Sequence, residues 1–251
     1  MRDASVGFQC PNCIAEGQKS TRAARTIAGG TVPAKVGSIT TAIIAINVAI
    51  FVITTATGGS TSWLFYQGAM LAESGITATG LNLRGVADGG IWRLLTAAFL
   101  HEGILHLAFN MYAIYIFGPM LEQALGIRRF VATYLTTAVA SSVFVYFLSD
   151  SLTIGASGAV FGLFAVALII LIKAGQDVRT LLVLLAINAF FSLQGNVSWQ
   201  GHLGGFLTGG VLGLAFAFVP RKYRTVGHGA VFGAIWVAIV LGVVIRTAQL
   251  T

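Results

Sequence analysis

Leu-Thr-Ile-Gly-Ala-Ser-Gly-Ala-Val-Phe-Gly-Leu-Phe-Ala-Val-Ala-Leu-Ile-Ile-Leu-Ile, residues 152–172, carries no charge and is long enough to cross about 30 Å of hydrocarbon as a helix. Gly155-Ala156-Ser157-Gly158 lies at its head, which puts a serine among small residues a few positions below the predicted helix start. A hydroxyl there, with its own backbone N–H lacking an intrahelical acceptor, can face one carbonyl group. Ser157 is thereby a candidate nucleophile inside a membrane.

The rest of the chain carries the same signal. Of its 251 residues 56% are hydrophobic and 9% charged, against roughly 25% charged in soluble domains. Further apolar runs at 36–57, 103–121, 130–148, 178–194, 199–219 and 229–246 bring the predicted spans to seven. The expected fold is an all-α, polytopic membrane helix bundle: a cytoplasmic tail over 1–35, a six-helix core over 36–219, and a linker with a seventh span over 220–251. The connector from about 58 to 102 holds short apolar stretches, Trp63 to Leu71 and Trp92 to Leu100, suited to lying in the interface. Basic residues fall between the runs and form no aromatic-interleaved patch, so nucleic acid is not an expected partner.

Charge fixes the predicted orientation. With the N-terminus inside, Arg2, Lys19, Arg22, Arg25, Lys35, Arg128, Arg129, Lys173, Arg179, Arg221, Lys222 and Arg224 are cytoplasmic, leaving only Arg84, Arg93 and Arg246 of the 15 Lys and Arg outside. The C-terminus is then extracytoplasmic, and a multi-pass protein of the cell membrane is expected. The second, fourth and sixth spans run from outside to inside. His106, Asn110, Ser157 and His202 fall within the first two turns or so of these three and so share one depth near the outer face.

Serine needs a base to take its proton. Of four histidines, His228 sits at the wrong end, and His202 opens the sixth span at the matching depth. With Asp150 and Glu102 in outer connectors, no buried acid completes a triad, and the chemistry reads as a Ser157–His202 dyad. Phe161, one turn below Ser157, offers a ring to stack on His202. The Ser157 amide, His106 and Asn110 are candidate donors for a developing oxyanion, although the His106/Asn110 pair also reads as interhelical hydrogen bonding. Gly201, Gly205, Gly209 and Gly213 form a bare ridge on the sixth span, matched by Gly158 and Gly162 on the fourth, which lets helix backbones approach closely. Asn47 and Asn188 are less pointed intramembrane polar residues; Asn188 and the Gln194–Gln200 loop read either as a substrate gate or as a flexible polar loop.

These residues resemble the rhomboid family of intramembrane serine proteases. The matching motifs are Trp92-Arg93, His101 with His106 and Asn110, Glu122 before a glycine-containing turn, Gly155-Ala156-Ser157-Gly158 with Gly162, and Gly201-His202-Leu203-Gly204-Gly205 with Gly209. They cover about residues 36 to 219 in the family's order. The resemblance implies Ser157 as nucleophile, His202 as base, an oxyanion side from His106 and Asn110, and structural support from Gly155, Gly158, Phe161, Gly162, Gly205, Gly209, Trp92, Arg93, His101 and Glu122. It also implies single transmembrane segments as substrates, cut near their outer ends at small residues, a six-plus-one helix arrangement, and the lipid bilayer as surroundings. Phe161 stands where many members carry Tyr, which keeps the stacking and drops a hydroxyl.

Two rival chemistries are weaker. His101-Glu102-Gly103-Ile104-Leu105-His106 nearly spells a zinc protease helix, but five-residue spacing sets the imidazoles roughly 140° apart. A transporter or an inactive rhomboid-like scaffold finds no internal repeat or acidic intramembrane residue, and both Ser157 and His202 are retained. No cofactor is expected. Cys10-Pro11-Asn12-Cys13 has half of a zinc knuckle's spacing without a second Cys or His pair nearby, so Cys10 and Cys13 are weak metal candidates beside a free-dithiol reading. Similar proteins with further upstream Cys and His imply a longer natural tail than one starting at Met1.

Overall fold

The computed structural model describes residues 2–4, 7–20, 25–78, 80–192 and 198–251. The tail holds elements that the hydropathy pattern does not announce: an antiparallel hairpin of β1 (Arg2–Ala4) and β2 (Gly7–Gln9), then α1 (Pro11–Ser20). The first long apolar helix is α2 (Ser38–Ala56).

The predicted connector is a folded platform. It contains α3 (Trp63–Gly68), a hairpin of β3 (Gly75–Ile76) and β4 (Asn82–Leu83), and α4 (Arg93–Thr96). Arg93, fully buried, holds it together by donating to the carbonyls of Arg84 at 2.6 Å, Tyr66 at 2.7 Å and Ala69 at 2.5 Å. Trp92 Nε1 donates to Gln67 O at 2.9 Å. A buried guanidinium is tolerated only when such partners replace water, so Trp92-Arg93 is a structural clamp. At the hairpin, the hydroxyl and amide of Ser74 donate to Asp88 and hold its carboxyl below the ordinary carboxylate range.

Next come α5 (Ile104–Leu125), α6 (Ile127–Leu148), α7 (Ser157–Lys173), α8 (Arg179–Ser192), α9 (Trp199–Phe218) and α10 (Arg224–Leu250). Among the described residues five helices, α2, α5, α6, α9 and the α10 region, are long and apolar enough to span a bilayer, whereas α7 is shorter and α8 is described as far as Ser192. The protein is thus a polytopic helical membrane bundle in which the fourth of the seven predicted spans is reduced in length. α7 loses the predicted residues 152–156 because Gly155 has a φ of 120°, which no helix accommodates. Gly126 alone separates α5 from α6, its φ of 82° reversing the chain in one residue.

The core fills the space among α5, α6, α7 and α9 with Ile114, Leu121, Phe130, Phe164, Val166 and Leu212. Glu122 on α5 accepts hydrogen bonds from Ser38 Oγ at 3.1 Å, Thr40 N at 3.2 Å and Thr40 Oγ1 at 3.1 Å. It caps the N-terminus of α2, whose preceding residue, Gly37, has no side chain to do so. α10 packs outside α6 and α9, with Trp236 Nε1 donating to Thr136 Oγ1 at 3.2 Å and Arg246 Nε to Tyr146 O at 3.1 Å.

Candidate active site

The site grows from the segment before α7. Met70 and Thr153 exchange backbone hydrogen bonds of 2.8 and 3.0 Å, and Gly155 N donates to Ala97 O at 2.9 Å, so the platform anchors the segment 153–155. Gly155 then turns the chain, and α7 begins at Ser157 itself. The expectation that Ser157 lies a few residues below its helix start is therefore corrected: it occupies the first helical position. Its amide is among those without an intrahelical acceptor, and the N-cap Ala156 offers no side-chain cap.

His106 comes from the first turn of α5 and meets this segment. A Cβ at Gly155 would stand 2.7 Å from His106 Nε2 and 3.6 Å from Ser157 Oγ, so glycine is what lets imidazole and hydroxyl flank the same point. His101 stands edge-on to His106, with ring centroids 5.0 Å apart. Since α5 starts only at Ile104, His101 lies before the helix, and the expected 140° separation of the two imidazoles on one helix does not apply. Glu102 between them is exposed, and among the described residues no three His, Cys, Asp or Glu gather as a metal site would require. Asn110 is buried and its Nδ2 donates to His106 O at 3.0 Å. One amide N–H thus braces the turn that carries His106, and an amide nitrogen has a second to give.

His202 arrives on the first turn of α9, a helix capped by Ser198 Oγ accepting from Gly201 N at 3.3 Å. Its ring stacks on Phe161 with centroids 4.1 Å apart and planes 14° from parallel. α7 and α9 form the most extensive helix pair in the molecule. A Cβ on Gly205 would fall on Gly158 O, one on Gly209 on Gly162 O, and one on Gly158 would be 3.1 Å from Gly201 O. Ser157 and His202 are the chain neighbours of Gly158 and Gly201, so this closest approach brings their helices together at their own level.

The two glycines of α7 do more than mirror the ridge. Side chains on Gly158 and Gly162 would collide with Ser141 and Thr137 of α6. Three helices meet there, and Ser141 and Ser142 of α6 line, with Thr153, Ser157, Ser198 and Gly201, a cavity of about 20 Å³, room for roughly one water molecule. These α6 serines were not singled out in the sequence; the small-residue run Ala138–Ser142 opposite a glycine ridge is the signal that points to them.

Other candidates lie elsewhere. Asn47 and Asn188 donate to carbonyls one turn back on their own helices, Ile43 O and Leu184 O, each at 2.8 Å. His228 is buried at the opposite end, its Nε2 3.1 Å from Ala215 O. Cys10 and Cys13 are exposed free thiols at the start of α1, and the amides of Cys13 and Asn12 hold the Cys10 thiol below its ordinary value. Of the suggested Gln194–Gln200 gate loop, residues 194–197 lie outside the described residues, while Ser198 caps α9 and Trp199 and Gln200 belong to its first turn.

Residues 88–218 match the description of the Rhomboid domain. The chain is a member of the rhomboid family. It is 37% identical over 174 residues to YdcA of Bacillus subtilis (strain 168), named as a candidate rhomboid protease, covering 64% of this chain and 85% of that one. It is also similar to RHOMBOID-like protein 2 of Arabidopsis thaliana, 38% identical over 138 residues covering 52% of this chain and 44% of the plant protein. Rhomboid protease AarA of Providencia stuartii is 27% identical over 184 residues, which cover 61% and 66% of the two chains. In this rhomboid the matched region runs from the platform clamp to the end of α9 and so encloses Ser157, His106, Asn110 and His202.

Proposed function

We propose that this rhomboid is a serine endopeptidase that hydrolyses peptide bonds in or near transmembrane segments of membrane-protein substrates. The observation that carries the reading is the convergence at the head of α7: Ser157 in the first helical position, His106 against Gly155, and His202 stacked on Phe161 where α9 closes on Gly158.

In this reading Ser157 Oγ attacks the scissile carbonyl while His202 takes its proton. The developing oxyanion is met by the Ser157 amide, favoured by the α7 dipole, and by donors from His106 and Asn110. The tetrahedral species collapses as His202 returns the proton to the leaving amine, giving an acyl-Ser157. A water then repeats the sequence with His202 as base, and the carboxylic acid leaves. The small serine-lined cavity beside Ser157 is suited to supplying that water. Phe161 orients the imidazole where a triad would use a carboxylate.

The proposed orientation in the cell membrane, N-terminus cytoplasmic and C-terminus extracytoplasmic, places this chemistry near the outer face and so selects bonds near the outer ends of substrate segments. The test is fluorophosphonate labelling of detergent-solubilised protein together with cleavage of a model transmembrane substrate. Wild type labels and cleaves; Ser157→Ala does neither, and His202→Ala approaches the same loss because nucleophile and base act as one unit. Labelling that survives Ser157→Ala overturns the assignment.

A further inference from the structure

Three arginines meet at the end of the bundle opposite Ser157, where no chemistry has been assigned. The turn over residues 25–31 closes through Thr26 N to Gly30 O at 3.0 Å and docks on α5 through Ala28 N to Ala124 O at 3.1 Å. Against its Gly29-Gly30 tip lie side chains from two further elements. A Cβ on Gly29 would be 3.2 Å from Arg224 Cδ, and one on Gly30 would be 3.0 Å from Arg129 Nη1. Arg25 Nη1 approaches Gly29 O at 3.5 Å. The charges that act on Arg129 are Arg25 and Arg224.

This arrangement is electrostatically unfavourable as it stands. Arg129 sits in the first turn of α6 and Arg224 opens α10, so both cations occupy helix ends whose dipoles favour anions. Among the described residues no carboxylate pairs with any of the three, and Glu122, the buried acid of α5, is spent on Ser38 and Thr40. Arg224 Nε is buried without a hydrogen-bond acceptor. One turn along α10, the buried His228 has its Nδ1 unpartnered and feels the charges of Arg129 and Arg224. Three guanidinium charges converging from three elements, one of them with a buried N–H that has no acceptor, at the level where helices leave the hydrocarbon, call for an anion with several oxygens. A phosphate group is matched by guanidinium forks, and basic pockets between membrane helices take phospholipid head groups.

We propose that Arg25, Arg129 and Arg224 form a phosphate-binding site that takes the head group of an anionic phospholipid. The lipid then ties the tail turn, the α5–α6 corner and the start of α10 to the bilayer surface.

Binding is measured on the full chain in mild detergent by native mass spectrometry and by the shift in thermal unfolding on adding phosphatidylglycerol, phosphatidylcholine or inorganic phosphate. Wild type retains phosphatidylglycerol in preference to phosphatidylcholine and is stabilised by it. Arg129→Gln/Arg224→Gln binds it roughly 30-fold more weakly, taking about one tenfold step per 1.4 kcal/mol and the usual contribution per basic residue. Arg221→Gln/Lys222→Gln, which removes exposed charges at the same end, loses less than about fivefold if the site rather than net charge binds. In lipid-free detergent the Arg129→Gln/Arg224→Gln protein unfolds at a higher temperature than wild type, since like charges no longer repel; a merely structural role for these arginines lowers it. Stabilisation by inorganic phosphate equal to that by lipid assigns the same site to a free phosphate compound. Equal phosphatidylglycerol binding by wild type and Arg129→Gln/Arg224→Gln, or no preference for it in wild type, overturns the proposal.

Discussion

A Cβ on Gly155 has nowhere to go. The residue has a φ of 120° and His106 Nε2 stands 2.7 Å from where that atom would be. An L side chain in such a region costs about 1–3 kcal/mol in backbone strain alone, and the imidazole must also move. Gly155→Ala is expected to keep the helical fold by circular dichroism and to lower the fluorophosphonate labelling rate at least tenfold; an unchanged rate would separate the Gly155 turn from the chemistry. Asn110→Ala is expected to lose at most the 10²- to 10³-fold typical of one oxyanion donor, because part of its work is bracing the His106 carbonyl. Inactivation as deep as that of Ser157→Ala would show a larger role. Spacing at this scale singled out residues that the fold places on neighbouring elements: His106 beside Gly155, the turn before Ser157, Asn110 against the His106 carbonyl, and His202 stacked on Phe161. The position of Ser157 at the first turn was not legible, since hydropathy runs unbroken from Leu152 and carries no trace of a positive φ at Gly155. Nor does any pattern announce that Arg93 would donate through Nε and Nη1 to three carbonyls from the platform.

Helices pack here by omission of side chains. α9 presents Gly205 and Gly209 to the backbone of α7, and α7 spends its own Gly158 and Gly162 on α6. Without a hydrophobic driving force between helices in lipid, such close approach is what van der Waals attraction has to work with. Gly205→Leu places a branched side chain on Gly158 O, and overpacking of this kind costs about 1–3 kcal/mol when the fold survives. The expected result is a lowered unfolding temperature and loss of substrate cleavage, read beside Gly210→Leu, whose side chain enters open space on the same helix and leaves both near wild type. Full cleavage by folded Gly205→Leu would refute the close packing as a requirement. The ridge on α9 was readable from its four-residue repeat. Its three-way character was not, because a glycine pair does not state which neighbour it faces.

On the scale of the whole molecule, the predicted orientation rests on 12 of 15 Lys and Arg falling on one side. A reporter fused after Thr251 is expected to be active only in its extracytoplasmic form; a cytoplasmic signal would invert the bundle and move the Ser157 level to the inner face. The arginine cluster belongs to this scale too. Its members are about a hundred positions apart in the chain, which no local reading joins. The exchange of hydrogen bonds between Met70 and Thr153, with Gly155 bound to Ala97, has a mechanical consequence. The platform and the peptide leading into Ser157 are joined by an isolated β-bridge and one further backbone hydrogen bond, so the platform cannot swing as a hinged lid without breaking the contacts that position the serine. Opening on that side is therefore set to the slow clock of local unfolding, and the amide protons of Met70, Thr153 and Gly155 should outlast many turnovers in deuterated buffer.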